Sequence, residues 1–264
     1  MKKFFLDKIL DVGTAYKTHE RVVYVIKKIG TNDTAANKLV IDNKYMGPII
    51  QNTSPLRKTS STIVGPLDLE GLYYVIPGDT DFKVEGTSGK IMRVIGTILM
   101  LDPGETIPSD LLARFKAQPN HYKTYLTGEY DFGAATSWAD GTEVTLYTLT
   151  PKTIEKYIFN DLIFIEYTGF TVNPGDVVIQ FYLNNNPIEY LYDSTVDPGI
   201  DILSFPKYDG ASAQDVPFKA REFPIEVPGD NTLKITAKNV SGSAISLSSA
   251  KITLYAIAEF LRTV

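Results

Sequence analysis

The chain has 264 residues, of which 44% are hydrophobic and 22% charged, a composition typical of folded globular proteins rather than disordered ones. Its 26 basic and 31 acidic residues give a net charge of -5, the wrong sign for a protein that binds a phosphate backbone. We therefore expect no direct nucleic-acid binding. No Cys and two His leave little for cysteine catalysis or transition-metal binding, so we expect no metal, no cofactor and no enzymatic activity.

The N-terminal segment, residues 1–20, is predicted to be a flexible arm or a short helix. Phe5 and Ile9, and likewise Leu6 and Leu10, recur at a spacing of four, which fits one face of a helix. Charged residues soon interrupt the apolar run, whereas a secretion signal needs an apolar stretch of about 7 to 15 residues. We therefore expect a protein that is synthesised in the cytoplasm without a signal peptide.

Apolar or alternating runs of strand length dominate the rest of the chain, and turn signals rich in Gly, Pro, Asn and Asp bound most of them. These patterns predict a predominantly β fold. The predicted strands are Arg21 to Ile29, Lys38 to Ile41, Leu72 to Ile76, Asp81 to Glu85, Lys90 to Leu101, Thr142 to Leu149, Ile158 to Tyr167, Asp176 to Leu183, Ile188 to Tyr192, Phe223 to Val227, Thr232 to Lys238 and Ala244 to Phe260.

One internal segment, Ser109 to Gln118, is predicted to be a helix. Pro108 stands before it and Pro119 after it, so the sequence contains both a start and a stop signal. The apolar residues expected to share its buried face are Leu111, Leu112 and Phe115.

An internal repeat is the most informative pattern in the sequence. Leu72 to Val84 and Phe223 to Ile235 both contain an apolar run, Pro-Gly-Asp, two further residues and then apolar-Lys-apolar. Upstream, Leu39 to Ile41 and Val177 to Ile179 are each followed by a Pro-Ile pair. Pro-Gly-Asp turns also occur in unrelated β proteins, but two matches in the same order favour related units. The sequence therefore predicts two tandem β-sandwich units, residues 21–149 and 150–264, with the helix in the first.

Motifs that would carry catalysis are not found. Gly86 to Lys90 has glycines too closely spaced for a phosphate-binding loop and is predicted to be a hairpin turn. His19 and His121 have no neighbours at the spacing of a zinc site. Carboxylates are plentiful, so the acid pair of a glycosidase stays open, although the sequence does not single out two residues for it.

An aromatic-rich stretch follows the predicted helix and is broken by Gly and polar residues. Such rings can pack over the end of a sandwich, anchor a protein interface or stack on a sugar. The interface or glycan-stacking candidates are Tyr122, Tyr125, Tyr130, Phe132 and Trp138.

The repeated strand, Pro-Gly-Asp, strand blocks around Pro77 and Pro228, with a helix between them, resemble the tandem jelly-roll structural proteins of viruses. The resemblance implies an all-β fold of two tandem β-sandwich (jelly-roll-like) units with one short helical insertion. It implies a self-assembling capsid subunit located in the virion, a homo-oligomer with a trimer favoured, and contacts with other virion proteins. The arm that would face neighbouring subunits or an internal membrane comprises Lys2, Lys3, Phe4 and Phe5.

Three functional classes remain open from the residues alone. An assembly-forming structural protein is favoured, because the sequence contains no recognisable set of catalytic residues and such proteins act through their contact surfaces. A carbohydrate-binding or adhesin module would use Trp138 and the neighbouring tyrosines. A hydrolase would use a carboxylate pair that the sequence does not identify.

Overall fold

The computed structural model describes residues 1–33, 37–50, 58–59, 62–63, 67–195, 198–206, 218 and 220–263, with the backbone alone at 45–50, 58–59 and 62–63. The chain divides into two compact units, Met1–Tyr125 (unit 1) and Leu126–Thr263 (unit 2). The division precedes the predicted boundary between residues 149 and 150. It does so because Glu143–Leu149, placed in the first unit by the sequence, pairs with Leu233–Asn239 in unit 2.

Unit 1 contains two main antiparallel sheets. The first has the strand order β1-β11-β3-β8, with β9 also paired to β3, and the second has the order β2-β10-β4-β5. The strands are β1 (Lys2–Asp11), β2 (Ala15–Lys17), β3 (Val22–Thr31), β4 (Asn37–Ile41), β5 (Lys44–Ile50), β6 (Lys58–Thr59), β7 (Thr62–Ile63), β8 (Leu67–Asp68), β9 (Tyr74–Ile76), β10 (Asp81–Glu85) and β11 (Ile91–Met100).

Unit 2 also contains two main antiparallel sheets. The first has the order β12-β23-β15-β20, with β16 paired to β23, and the second has the order β14-β21-β17-β18, with β19 paired to β17. The strands are β12 (His121–Asp131), β13 (Ser137–Trp138), β14 (Glu143–Leu149), β15 (Glu155–Phe159), β16 (Ile163–Thr168), β17 (Val177–Leu183), β18 (Asn186–Pro187), β19 (Ile200–Asp201), β20 (Ile225–Val227), β21 (Leu233–Asn239), β22 (Ile245–Ser246) and β23 (Lys251–Arg262).

The two units share one strand order. In unit 1 the eight strands β1 to β5 and β9 to β11 pair in the order first, eighth, third, sixth in one sheet and second, seventh, fourth, fifth in the other. In unit 2 the strands β12, β14, β15, β17, β18, β20, β21 and β23 pair in the same two orders. Eight antiparallel strands arranged in this way form a jelly roll. The chain is therefore all-β and contains two jelly-roll sandwiches.

The turn between the fourth and fifth strands has the same geometry in both units. Asp42 and Asn43 join β4 to β5 with φ values of 50° and 55°, and Asn184 and Asn185 join β17 to β18 with 52° and 65°. Two-residue hairpins of this kind need two consecutive residues at positive φ, which Asn and Asp tolerate better than most residues. In the first unit the sequence pattern indicates a turn at Asn43 and Lys44, one residue later than the turn in the structure, where Lys44 already begins β5.

The two Pro-Gly-Asp turns also correspond. Asp79 and Asp230 have φ values of 57° and 63°. At Gly78 an added Cβ would lie 1.9 Å from the Glu20 carbonyl oxygen, and at Gly229 it would lie 2.4 Å from the Thr153 carbonyl oxygen. Each turn therefore packs its glycine against the backbone that leads into the third strand of its unit, and only a residue without a side chain fits there.

The N-terminal segment is a strand, so the prediction of an arm or short helix over residues 1–20 is wrong. β1 pairs with β11 in unbroken register from Lys2↔Met100 to Asp11↔Ile91. A spacing of four keeps two residues on one face of a strand as well as of a helix, so the apolar pattern could not distinguish the two. Pairing along ten residues of β11 selects the strand.

Four other segments differ from the sequence predictions. Ala244 to Phe260 is two strands, β22 and β23, separated at residues 247–250. Ile158 to Tyr167 is two strands, β15 and β16, separated at Asn160 and Asp161. Ile188 to Tyr192 lies outside any strand and follows the short β18. The aromatic-rich stretch is not a polar loop, because most of it forms β12, which pairs with β23.

Helix α1 spans Ser109–Ala117, as the sequence predicts. Leu111 and Phe115 pack with Val23 and Val75 of the first sheet of unit 1, whereas Leu112 is 39% exposed and does not share the predicted buried face. Residues i and i+1 point about 100° apart on a helix, and α1 is rotated so that Leu111 points into the sheet and Leu112 away from it. No helix among the described residues is long and apolar enough to cross a bilayer.

Side-chain hydrogen bonds fix α1 to β9. The Gln118 amide group accepts a hydrogen bond from the Val75 amide (2.8 Å) and donates one to the Val75 carbonyl oxygen (3.0 Å). The Arg114 guanidinium donates to the carbonyl oxygens of Tyr73 (2.8 Å) and Leu72 (3.1 Å). These bonds satisfy backbone groups on the side of β9 that no described strand covers.

The Tyr74 hydroxyl is the basis of a stability prediction. The side chain is fully buried and its hydroxyl has no hydrogen-bond partner among the residues that the structure describes, and burial raises the pKa of the phenol well above its ordinary value. A buried polar group without a partner costs about 1 to 3 kcal/mol. We expect Tyr74→Phe to raise the free energy of unfolding by about 1 kcal/mol. Urea denaturation measures this change, and a loss of stability would show that the hydroxyl has a partner.

Candidate assembly surface

The outer face of β1 carries exposed apolar side chains. Strand alternation directs Leu6 and Leu10 into the core, where they are 2% and 0% exposed, and directs Phe5 and Ile9 outward, where they are 73% and 55% exposed. β1 stands at the end of its sheet, since β11 is its strand partner. Large apolar side chains that stay exposed next to each other mark interaction sites.

A bidentate ion pair lies between the two exposed apolar side chains. The Arg93 guanidinium donates from Nε to Asp7 Oδ1 (2.7 Å) and from Nη2 to Asp7 Oδ2 (2.6 Å). Arg93 stands opposite Ile9 on β11, so this is a diagonal cross-strand pair. We call Lys3, Phe5, Asp7 and Ile9, together with Arg93, the β1 outer face. Sequence reasoning found Lys3 and Phe5 but missed the other three residues.

The ion pair leads to a pH prediction. The hydrogen bonds from Arg93 hold the pKa of the Asp7 carboxyl below its ordinary value. Because this pKa is depressed in the folded state, the stabilisation is complete above the unfolded-state pKa of about 3.9 and is lost as the pH falls through the folded-state pKa. We expect Arg93→Gln to raise the pKa of Asp7. An NMR titration of its carboxyl carbon measures the shift, and an unchanged pKa would contradict the pairing.

A groove adjoins the β1 outer face under the N-terminal end of α1. Its volume is about 350 Å³, and Val25, Leu99 and Leu111 form its apolar floor. The ammonium-bearing side chains of Lys3 and Lys27 line its rim and make no hydrogen bond or ion pair with any described residue. The groove extends the exposed surface of β1 across the same side of the sheet.

The aromatic candidates are packed into the protein. Trp138 is 2% exposed, its indole N–H donates to the Thr142 carbonyl oxygen (3.0 Å), and its ring centroid lies 5.2 Å from that of Phe132. Tyr130 and Phe132 are half-buried against the same core, Tyr125 is buried and Tyr122 is half-buried. The indole of Trp138 therefore cannot stack on a sugar without unpacking the core. Core packing, one of the three interpretations from the sequence, describes this cluster.

Two carboxyl groups of unit 2, those of Asp131 and Glu155, have lowered pKa values and form ion pairs with basic side chains. Lys251 Nζ lies 3.1 Å from Glu129 Oε1 and 2.8 Å from Asp131 Oδ2, and the Lys251 hydrogen bond lowers the pKa of Asp131. Burial opposes ionisation of Glu155, but the hydrogen bonds from Arg262 and from the Lys152 backbone amide, together with the nearby positive charges, outweigh it, and the pKa is lowered. A general acid needs a raised pKa, so Asp131 and Glu155 are not suited to that role. No cluster of potential metal ligands occurs among the described residues.

The two strand orders define the chain as a two-unit jelly-roll protein with an exposed apolar surface on unit 1. No protein-family model and no curated protein matches it. A solved structure described as "PBCV-1 virus capsid, quasi-atomic model" is similar in outline, with a TM-score of 0.35 and 12% identity, over 99% of this chain and 94% of that one.

Two further solved structures are similar over most of the chain. One is described as "The Triple Jelly Roll Fold and Turret Assembly in an Archaeal Virus" (TM-score 0.24, 12% identity, 98% of this chain and 56% of that one). The other is the Cry4Aa toxin of Bacillus thuringiensis (TM-score 0.23, 9% identity, 94% of this chain and 44% of that one). The fold assignment rests on the strand orders and takes no support from these scores.

Proposed function

We propose that the protein is a virion structural protein, a capsid subunit whose two jelly rolls arose as a tandem repeat and which self-assembles into a homo-oligomer, with a trimer favoured. The observation that carries the proposal is the shared strand order of the two units. Jelly rolls occur in viral capsids and in lectins, and the corresponding turns at Gly78 and Gly229 favour a duplicated building block. The proposed location is the virion, and the role requires no catalysis and no cofactor.

The β1 outer face supports assembly rather than an isolated module. Phe5 and Ile9 would leave water on contact with a partner, and burial of apolar surface is the main driving force of association. The proposed partners are further copies of the chain and other virion proteins, with no direct nucleic-acid binding. Contact of Lys2, Lys3, Phe4 and Phe5 with an internal membrane remains part of the proposal, now from a strand rather than a flexible arm.

The alternative of a carbohydrate-binding or adhesin module loses the ring on which it mainly relied. Trp138 was its principal ring, and the indole lies in the core of unit 2. A glycan screen of the purified chain tests the alternative directly. If the Trp138→Ala variant still binds a glycan, the sugar site lies elsewhere in the chain. If this variant folds but no longer binds the glycan, the carbohydrate-binding alternative is restored.

Light scattering coupled to size-exclusion chromatography tests the proposed function. We expect the purified chain to elute as a defined multiple of its 29.3 kDa mass, with the larger species gaining population as the concentration rises. A trimer would appear at three times the chain mass. A mass equal to one chain across the whole concentration range would contradict self-assembly.

A further inference from the structure

β1 has an open edge that can accept another strand. Among the described residues, β11 is the strand that pairs with it, so its other edge presents the backbone N–H and C=O groups of every second residue. At the end of this edge the Asp11 N–H donates to the Tyr16 hydroxyl (2.8 Å), and the segment before it is open. Edge strands of natural proteins are commonly kept short, bulged or protected by charge. β1 is long and has no bulge in its register with β11.

Lysine is one common protection of an edge strand, and β1 contains three lysines. Lys8 is engaged within the unit, because its ammonium group lies 4.9 Å from the ring centroid of Tyr16. Lys2 lies near the carboxylate of Asp102, whose pKa it helps to lower. Lys3 is the lysine on the outer face, and it makes no hydrogen bond or ion pair with a described residue.

The outer face of β1 is complementary to itself in an antiparallel arrangement. If two copies of β1 pair with Phe5 opposite Phe5, Lys3 of each copy stands opposite Asp7 of the other. Arg93 occupies two acceptor positions of the Asp7 carboxylate, and a carboxylate has about four, so the ammonium group of a second copy can bind as well. Aromatic pairs and opposite charges are the cross-strand pairs that stabilise antiparallel sheets.

The neighbouring registers that keep the same face outward are less favourable. A shift by two residues toward the N-terminus places Lys3 opposite Phe5, and a shift by four places the two Lys3 residues opposite each other. A shift by two residues in the other direction places Phe5 opposite Asp7 and Lys3 opposite Ile9. A further shift pairs Phe5 with Ile9 but brings the two Asp7 carboxylates together, and like charges directly opposite one another destabilise a sheet. The register centred on Phe5 does place Lys2 opposite Lys8 on the inner face, where Asp102 and the ring of Tyr16 already contact them.

We propose that β1 of one chain pairs antiparallel with β1 of a second copy across a two-fold axis at Phe5. The inference rests on the proposed self-assembly and specifies one of its contacts. Because a closed trimer has no two-fold axis, this contact would join a chain of one trimer to a chain of another. Two-fold pairing is isologous, so each residue of the patch meets its counterpart by symmetry. The pairing joins the first sheets of two unit 1 sandwiches into one continuous sheet and brings the two Phe5 rings next to each other on its outer face.

Introduced cysteines test this register, because the natural chain contains no Cys. Directly opposite residues of antiparallel strands have Cα atoms about 4.5 to 5.5 Å apart, within reach of a disulfide. Under mild oxidation with copper phenanthroline, we expect Phe5→Cys to give a covalent dimer. Lys3→Cys alone should stay monomeric on a denaturing gel, since two copies of residue 3 would lie about 13 Å apart. A mixture of Lys3→Cys and Asp7→Cys should cross-link.

A charge substitution tests the same contact without a covalent bond. We expect Phe5→Glu to raise the concentration needed for association at least about tenfold, because it places two carboxylates opposite each other. Ile154→Glu is the matched control, since Ile154 is also an exposed apolar residue, 54% exposed, and lies in unit 2. It should leave association unchanged, and circular dichroism checks that both variants fold.

The outcomes separate this inference from the proposed function. If the wild-type chain forms oligomers and neither Phe5→Cys cross-linking nor Phe5→Glu weakening is observed, the β1 contact is overturned while self-assembly stands. If the wild-type chain is monomeric at every concentration, both fail. Cross-linking of Asp7→Cys alone, with none at position 5, would also overturn the proposed register.

Discussion

Replacing Gly78 or Gly229 by alanine should lower the free energy of unfolding by about 2 to 3 kcal/mol, near the upper end for overpacked sites. At Gly78 the new methyl group would lie 2.5 Å from the Glu20 carbonyl carbon, and at Gly229 it would lie 2.6 Å from the Lys152 carbonyl oxygen. Backbone atoms cannot rotate away as a side chain can. Each turn must therefore open, and opening it displaces the strands that it joins.

Gly71→Ala is the control for these two substitutions. An added Cβ at Gly71 meets nothing within 4 Å, and the residue is not at a positive φ. We expect its stability to change by less than about 0.5 kcal/mol, as is usual for surface substitutions. Urea denaturation followed by circular dichroism measures all three variants. Equal stability of the three would contradict the close backbone approach at the Pro-Gly-Asp turns.

Phe181→Ala should destabilise unit 2 by about 3 to 5 kcal/mol, the usual cost of truncating a buried Phe. The ring is fully buried on β17, and its centroid lies 6.2 Å from that of Phe205 and 6.1 Å from that of Phe218. Alanine would leave a cavity bounded by these rings, and dispersion contacts across it would be lost. The fluorescence of Trp138, the single Trp of the chain, follows unfolding of this unit.

The same substitution at an exposed position provides the control for Phe181→Ala. Phe223 is 44% exposed and precedes β20 in the same unit. Because its ring is largely in water already, Phe223→Ala should shift the midpoint of the Trp138 fluorescence transition much less. Similar losses for the two variants would show that Phe181 is not part of a close-packed core.

Most inner strands of both sandwiches could be predicted from the sequence, because local patterns determine them. Continuous apolar runs such as Val177 to Leu183 bury both faces, and Pro-Gly-Asp sets the turn between the sixth and seventh strands of each unit. The Asp-Asn turn near residue 43 is likewise a local signal. These features need no knowledge of the partner strand, so a single sequence was sufficient.

The first strand of each sandwich was missed, and the reason is tertiary. In β1, apolar residues four apart fit a helix and a strand equally well, and the pairing with β11 decides between them. In β12, Gly128 interrupts the pattern of a strand. The structure explains this glycine, because a Cβ there would lie 2.1 Å from the Leu146 carbonyl oxygen. Neither long-range contact can be read from local periodicity.

The candidate surface could be predicted only in part. Lys3 and Phe5 were singled out because they open the chain, but exposure of Ile9 follows from the alternation of β1, which required the strand assignment. Arg93 belongs to this surface because it forms a diagonal ion pair with Asp7. The two residues are 86 positions apart in the sequence, so local patterns do not reveal the contact. For Trp138 the sequence left core packing, a protein interface and glycan stacking open, and the structure places the ring in the core of unit 2.

Electron microscopy of the purified 264-residue chain tests the central claim that two jelly-roll sandwiches in one chain form an assembly subunit. The account predicts uniform particles with rotational symmetry, in which each chain contributes two similar β-sandwich densities. Only single-chain particles of 29.3 kDa at every concentration, or one continuous β domain in place of two sandwiches, would contradict it.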